Sequence, residues 1–514
     1  MKKTKFLVLF IIAALLLPIL AACTPQNPTG KVLRIYNWAD YIDPDLITAF
    51  EEQYGATVIY DEFDTNEIMY TQLTDAKEEY DLVCPSDYMI QKLIEADVLQ
   101  AIDETKAATY YANVSPFIEE KFNPIISNDG DKYAVGYMWG LMGILYNQTN
   151  VAAKNKTDAE INSWNILFDT DFKNQVYMKD SIRDTFAALS IYAYQNEIAS
   201  GTSVQNILSK KDDDLLARLK DAMLKQKEAV KPKFEVDKAK NTMAKSNKNS
   251  LALMWSGDAY TSIWDAEDND IDLAFALPTE GNNVFMDGLA IPKNHKADEQ
   301  LIYDFINFIS DPANAVQNMS YIGYTSVIAG QGTDGSNPIY KYMVGEDTEH
   351  EYLNKQRGSQ NVAYFFFGDN DTYNVVGELY GISEIMYPEY DYINTRCAIM
   401  YDYGDYTQKF NDLWLETRGT DFPGWAIALI IVGVLLIAAA FFIIKYKKQI
   451  LAFIGKKFPN LVKSKDAKTA PAQSANTAAA PEKPTEPKDT QPSEPTKQQL
   501  PDDDDDEFIP PDKK

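Results

Sequence analysis

Between residues 31 and 103 the chain alternates short apolar runs with amphipathic ones, and this restricts the fold more than any other feature. "VLRIYNW", "TVIYDEF" and "YDLVCPS" read as strands. "DPDLITAFEEQYG", "NEIMYTQLTDAKEE" and "YMIQKLIEADVLQAID" read as helices. In the first of these, Pro44 stands in the opening turn and Gly55 closes the run. Strands separated by helices of this length form βαβ units on a parallel sheet, an α/β architecture. Ligands of such sheets bind beyond the carboxyl ends of the strands. Trp38, Asp40 and Tyr41 end the first strand, and Ser86 and Tyr88 end the third, so both groups face one crevice.

Two long runs that contain glycine, "VGYMWGLMGILYN" and "DLAFALPTEGNNVFMDGLAIPK", read as strands crossing into a second lobe and returning. Between them, "NQVYMKDSIRDTFAALSIYAY" and "SLALMWSGDAYTSIW" each read as strand, turn and helix. "QLIYDFINFISDPANAVQNMSYIGY" is helical up to its final turn. Two lobes joined by crossings make a hinged clamp for a small ligand.

Both ends carry membrane signals. "MKKTK" followed by "FLVLFIIAALLLPIL" is a secretory signal, and "LAAC" resembles a lipoprotein cleavage site that leaves Cys23 lipidated. The competing reading is an ordinary signal peptide with a chance cysteine. Residues 425–444 are apolar and uncharged, long enough to span a bilayer. Eight lysines follow between Lys445 and Lys468, which places the large domain outside and the tail in the cytoplasm. The proline-rich stretch beyond reads as disordered, and residues 502–507, "DDDDDE", as a solvated acidic end. The domains are therefore a signal at 1–22, a tether at 23–30, lobe 1 at 31–140 and 286–330, and lobe 2 at 141–285 and 331–420. A transmembrane helix at 425–444 and a tail at 445–514 follow.

The formal charge of -28 argues against nucleic acid and suits a cationic ligand. Two histidines, His295 and His350, leave no histidine-based metal or nucleophile motif. No metal, cofactor or enzyme reading survives. "GQGTDG" at 330–335 matches a dinucleotide pattern, but "SNPIY" after it reads as turn and extended chain rather than the required helix. Cys84 and Cys397 read as buried thiols more readily than as a disulfide.

In their order, "YNWADYI", "YDLV" with "PSDY", "WG" near 139, "MWSGDAY", "FMDGLAIP", "INF" with "SDP" and "IGYT" resemble the spermidine/putrescine-binding proteins of ABC transporters. The resemblance covers most of residues 31–324 and a weaker stretch near 395–418. It implies a two-lobed type II periplasmic-binding-protein fold, a putrescine or spermidine ligand, an ABC permease with its ATPase as partner, and no catalysis. Position by position it implies a site of Trp38, Asp40, Tyr41, Ser86, Tyr88, Asp184, Trp255, Asp258, Phe285, Asp287 and Tyr324. Carboxylates would pair with ammonium groups and aromatic walls would cover the methylenes between them. Phe285 stands where the family usually has tryptophan, and Ser181 where relatives carry an acid. A membrane-spanning sensor or scaffold that does not feed transport is the alternative, motivated by residues 425–444 and the tail.

Overall fold

The computed structural model describes residues 30–344, 357–380 and 385–419, with 432, 445 and 446. The signal, Cys23, His350, the tail beyond Tyr446 and all of 425–444 except Val432 lie outside the described residues. Among the described residues no helix is long and apolar enough to cross a membrane.

Strands β1 (Lys31–Trp38) and β2 (Ala56–Phe63) pair in parallel from Lys31 opposite Ala56 to Trp38 opposite Phe63. Helix α1 (Pro44–Tyr54) joins them. Asp43 caps it by accepting from the Asp45 amide at 2.9 Å, and Gly55 ends it at φ 60°, in the left-handed region where glycine carries no Cβ penalty. The third strand is shorter than its sequence suggests, only β3 (Leu82–Val83), and it leads into α2 (Asp87–Glu95).

The crossings are single long strands. β4 (Ala134–Asn147) is buried along nearly its whole length and is paired along both of its edges. Lobe 2 adds β5 (Val176–Lys179), which feeds α3 (Ile182–Ala193), then β6 (Lys233–Glu235) and β7 (Leu251–Trp255), which runs directly into α4 (Ser256–Glu267). The return strand is β8 (Asn282–Pro292). The sheet order is β2-β1-β3-β8-β4-β7-β5-β6. From Ala134 to Leu141, β4 pairs antiparallel with β8, and from Met142 to Tyr146 with β7. The lobes thus share one continuous β-ribbon as their connection.

Phe50, Ile90, Val135, Leu289 and Phe305 lie in the core of lobe 1, and Met142, Val176, Phe186, Leu253 and Phe410 in that of lobe 2. Each such side chain contributes about 1.5–3 kcal/mol by leaving water. Cys84 and Cys397 are buried free thiols.

Two sequence expectations are corrected. The described residues between Pro338 and Ile393, read as part of lobe 2, pack on lobe 1: Tyr364 meets Phe117 edge to face at 5.0 Å, and Ser115 Oγ donates to the Phe365 carbonyl at 2.6 Å. The apolar run around Phe365 covers the helix Pro116–Ile126 of lobe 1, a tertiary match that local pattern does not encode. The chain rejoins lobe 2 at Cys397–Ala398, which pairs with the start of β8, and at the helix Thr407–Arg418. Second, "NPIY" begins a helix, Pro338–Val344. It starts after the glycine run, and Asn337 Oδ1 already accepts from the Ile339 amide at 3.0 Å.

The ribbon bulges between Asp287 and Gly288. A Cβ on Gly288 would lie 2.9 Å from the Val135 carbonyl oxygen and 3.0 Å from Ile90 Cδ1. Gly288→Ala should therefore destabilise the chain by about 1–3 kcal/mol. A thermal melt should show a drop of several degrees, and an unchanged melting temperature would mean that the ribbon yields freely at the bulge.

Candidate functional site

The bulge carries the centre of the site. Asp287 projects from β8, nearly fully buried, toward the ends of β1 and β3. Tyr41 follows a turn in which Asp40 takes a left-handed φ of 53°, and its hydroxyl donates to Asp287 Oδ2 at 2.7 Å. Ser86 Oγ donates to Oδ1 at 2.6 Å, itself held by Asn66 Nδ2 at 3.0 Å. Among the described residues no cation pairs with Asp287. Burial pushes its pKa up to about 6. The Ser86 and Tyr41 hydrogen bonds oppose that rise, and the nearby negative charge of Asp184 adds to it. Asp184 sits in the first turn of α3, where its amide donates to the Ser181 cap at 3.4 Å.

A second carboxylate is compensated. Asp258, in the first turn of α4, accepts from Lys179 Nζ at 2.9 Å and from the Tyr324 hydroxyl at 3.0 Å. Lys240 Nζ is 4.0 Å away. Burial alone would raise the pKa of Asp258, but Lys179 and Lys240 together with these hydrogen bonds outweigh it, and the net shift is downward. Lys179 is itself buried. Its ammonium lies 3.4 Å from the Trp255 ring centroid and donates to the Val236 carbonyl at 3.0 Å. Asp258, which the resemblance implies as a ligand carboxylate, thus has a cation supplied by the protein itself.

The two carboxylates are linked through aromatics: Tyr41 and Tyr324 meet edge to face at 5.0 Å. Gly257 makes this possible, since a Cβ there would lie 2.3 Å from Tyr324 Cδ2. Tyr324 precedes the short strand Thr325–Ser326 on lobe 1, so its bond to Asp258 spans the lobes.

Other expected residues are engaged differently. Tyr88 lies under the Arg183 guanidinium at 3.7 Å, and its hydroxyl donates to Glu67 at 3.1 Å. Arg183 also donates to the carbonyls of Met400 and Tyr401. Trp38 is half-buried against Phe63, with ring centroids 4.5 Å apart, and Asp40 is exposed at its turn. Phe285 is half-buried over Gly140, where a Cβ would meet its Cζ at 2.9 Å.

Sequence reading missed Lys179, Arg183 and Asp87. Asp87 is buried, and burial pushes its pKa up to about 7 despite the Arg183 charge nearby. The signal for Lys179 was a lysine closing the otherwise apolar strand "VYMK", two residues before the α3 cap Ser181. Among the described residues no cluster of histidine, cysteine and carboxylate side chains could hold a metal ion.

A family profile described as bacterial extracellular solute-binding protein matches residues 45–335. The putrescine-binding periplasmic protein SpuD of Pseudomonas aeruginosa is 32% identical over 292 residues, 56% of this chain and 76% of that protein. The spermidine/putrescine-binding periplasmic protein of Escherichia coli is 31% identical over 317 residues, 60% of this chain and 81% of that protein. The solved spermidine/putrescine ABC transporter substrate-binding protein PotD of Streptococcus pneumoniae superposes with a TM-score of 0.54 at 26% identity, covering 76% of this chain and 99% of that one. The chain belongs to the bacterial extracellular solute-binding proteins, a family that binds its solutes rather than transforming them.

Proposed function

We propose that the clamp binds a putrescine- or spermidine-type polyamine and delivers it to an ABC permease for uptake. The observation that carries this reading is Asp287, a buried carboxylate with two neutral donors and no cation among the described residues. A buried carboxylate is stable as an anion only when paired. An ammonium between Asp287 and Asp184 would relieve both charges, and Tyr41, Phe285, Tyr324 and Trp38 would cover the methylenes, while Trp255 faces Lys179. The relatives' printed ligands agree with this chemistry.

We also propose a double attachment, by lipid on Cys23 and by a membrane span at 425–444 with a cytoplasmic tail. "LAAC", the uncharged run and the lysines that follow it support this.

Titration of the full chain with putrescine, spermidine and spermine at 1 mM should show saturable binding to at least one, and silence toward all three would overturn the polyamine reading. Asp287→Asn should weaken the preferred amine at least about tenfold, or about 1.4 kcal/mol. Acidity is a separate probe. The empty folded chain holds the Asp287 proton more tightly than the unfolded chain does, so the stability of the empty protein falls as pH rises from about 4 through about 6. Asp87 adds to the same trend up to about 7. The amine stays charged over this range, so binding at pH 5 should be about tenfold weaker than at pH 7, and Asp287→Asn should flatten that dependence. On fractionation, Cys23→Ala alone or truncation before residue 425 alone should leave the chain with membranes. The two changes combined should release it, and release by either alone would remove one anchor.

A further inference from the structure

We propose that Lys179 determines which amine the clamp takes: its ammonium occupies the Asp258 position in place of one ligand ammonium, favouring a diamine over a triamine. This rests on the polyamine reading of the site.

A ligand ammonium in such a cleft needs a carboxylate, a carbonyl acceptor and an aromatic face. Lys179 Nζ has all three, in Asp258 at 2.9 Å, the Val236 carbonyl at 3.0 Å and the Trp255 ring at 3.4 Å. Lysine is almost never fully buried unless paired, yet only 1% of this side chain is exposed. Its backbone is fixed as well, since Thr185 Oγ1 donates to the Lys179 carbonyl at 2.7 Å. The tether holds the ammonium at the end of β5, immediately before the α3 turn that carries Asp184.

The charge accounting follows. Asp287 and Asp184 have no cationic partner among the described residues, whereas Asp258 has Lys179 within bonding distance and Lys240 at 4.0 Å, and the same two lysines also offset the neighbouring Asp237. A ligand is therefore asked for charge at the Asp287 end and not at the Asp258 end. A triamine would bring a further ammonium toward a position already holding one, and like charges in a buried site repel. Without Lys179, Asp258 would be a buried carboxylate beside a free indole face, and that end would recruit the additional ammonium.

A purely structural ion pair joining β5 to α4 predicts something different. Its loss would lower stability without changing the choice of amine. The readout is therefore the ratio of spermidine to putrescine affinity in the full chain, by calorimetric titration. Lys179→Met should move that ratio at least tenfold toward spermidine. Lys179→Met with Lys240→Met, which removes both ammonium groups, should move it at least as far. Adding Asp258→Asn to Lys179→Met should return it to within threefold of the unaltered chain. Should Lys179→Met fail to fold, Lys179→Gln removes the charge while keeping a donor for the Val236 carbonyl, and the same shift is expected of it. A ratio unmoved in the folded charge-removal variants overturns the role of Lys179 while leaving polyamine binding intact. An unaltered chain that binds neither amine overturns both.

Discussion

The antiparallel ribbon of Ala134–Asn147 and Asn282–Pro292 is the constraint on which the rest of the structure depends. Its long strand lies inside the sheet of one lobe and, after a change of partner at Leu141 and Met142, inside that of the other, between Leu251–Trp255 and Leu273–Ala276. Burial on all sides forces an apolar sequence with glycines at close approaches. Gly140 admits Phe285, Gly143 admits Phe275, and Gly136 lies against Val327 and Met286. The ribbon also interrupts its register at Asp287, which turns a carboxylate inward from an otherwise apolar strand. The hinge and the centre of the candidate site are thus the same piece of backbone.

That coincidence gives the empty clamp an electrostatic bias. The Asp258 end is neutralised from within, and the Asp287 end is not. Two hydroxyl donors partly stabilise Asp287, yet burial still raises its pKa to about 6. Near neutral pH the site is an anion awaiting a partner. In acid it is a neutral carboxylic acid with little reason to bind a cation. Contacts made without any ligand join the lobes, since Arg183 of lobe 2 stacks on Tyr88 of lobe 1 and Tyr324 bonds Asp258.

Much of the scaffold was legible because its signals are local. Asp43, Pro44 and Gly55 mark both ends of α1, and the apolar run at 135–147 marks a strand buried along nearly its whole length. Asp287 stood out for the same reason, as a carboxylate inside an apolar strand. Lys179 did not, because a lysine at a strand end usually reaches solvent, and only the placement of α4 across from β5 turns it inward. Tyr88 was read as a ligand wall, whereas Arg183, a long way off in sequence, takes its face. The run Ala363–Phe367 has no period that names its partner, so its docking on Pro116–Ile126 required the tertiary structure.

The two ends of the described domain belong to different lobes. The chain enters through Lys31 at the edge of β1 in lobe 1. It leaves through the helix Thr407–Arg418, which packs on Asp213–Ala229 in lobe 2 and is fastened there by the Arg418–Asp180 ion pair, Nε to Oδ1 at 2.6 Å. Opening about the ribbon therefore changes the distance between entry and exit. A restraint on both ends at once acts on the hinge as a mechanical load, and the ligand-bound and empty states then differ in the end-to-end distance they present to whatever holds the chain.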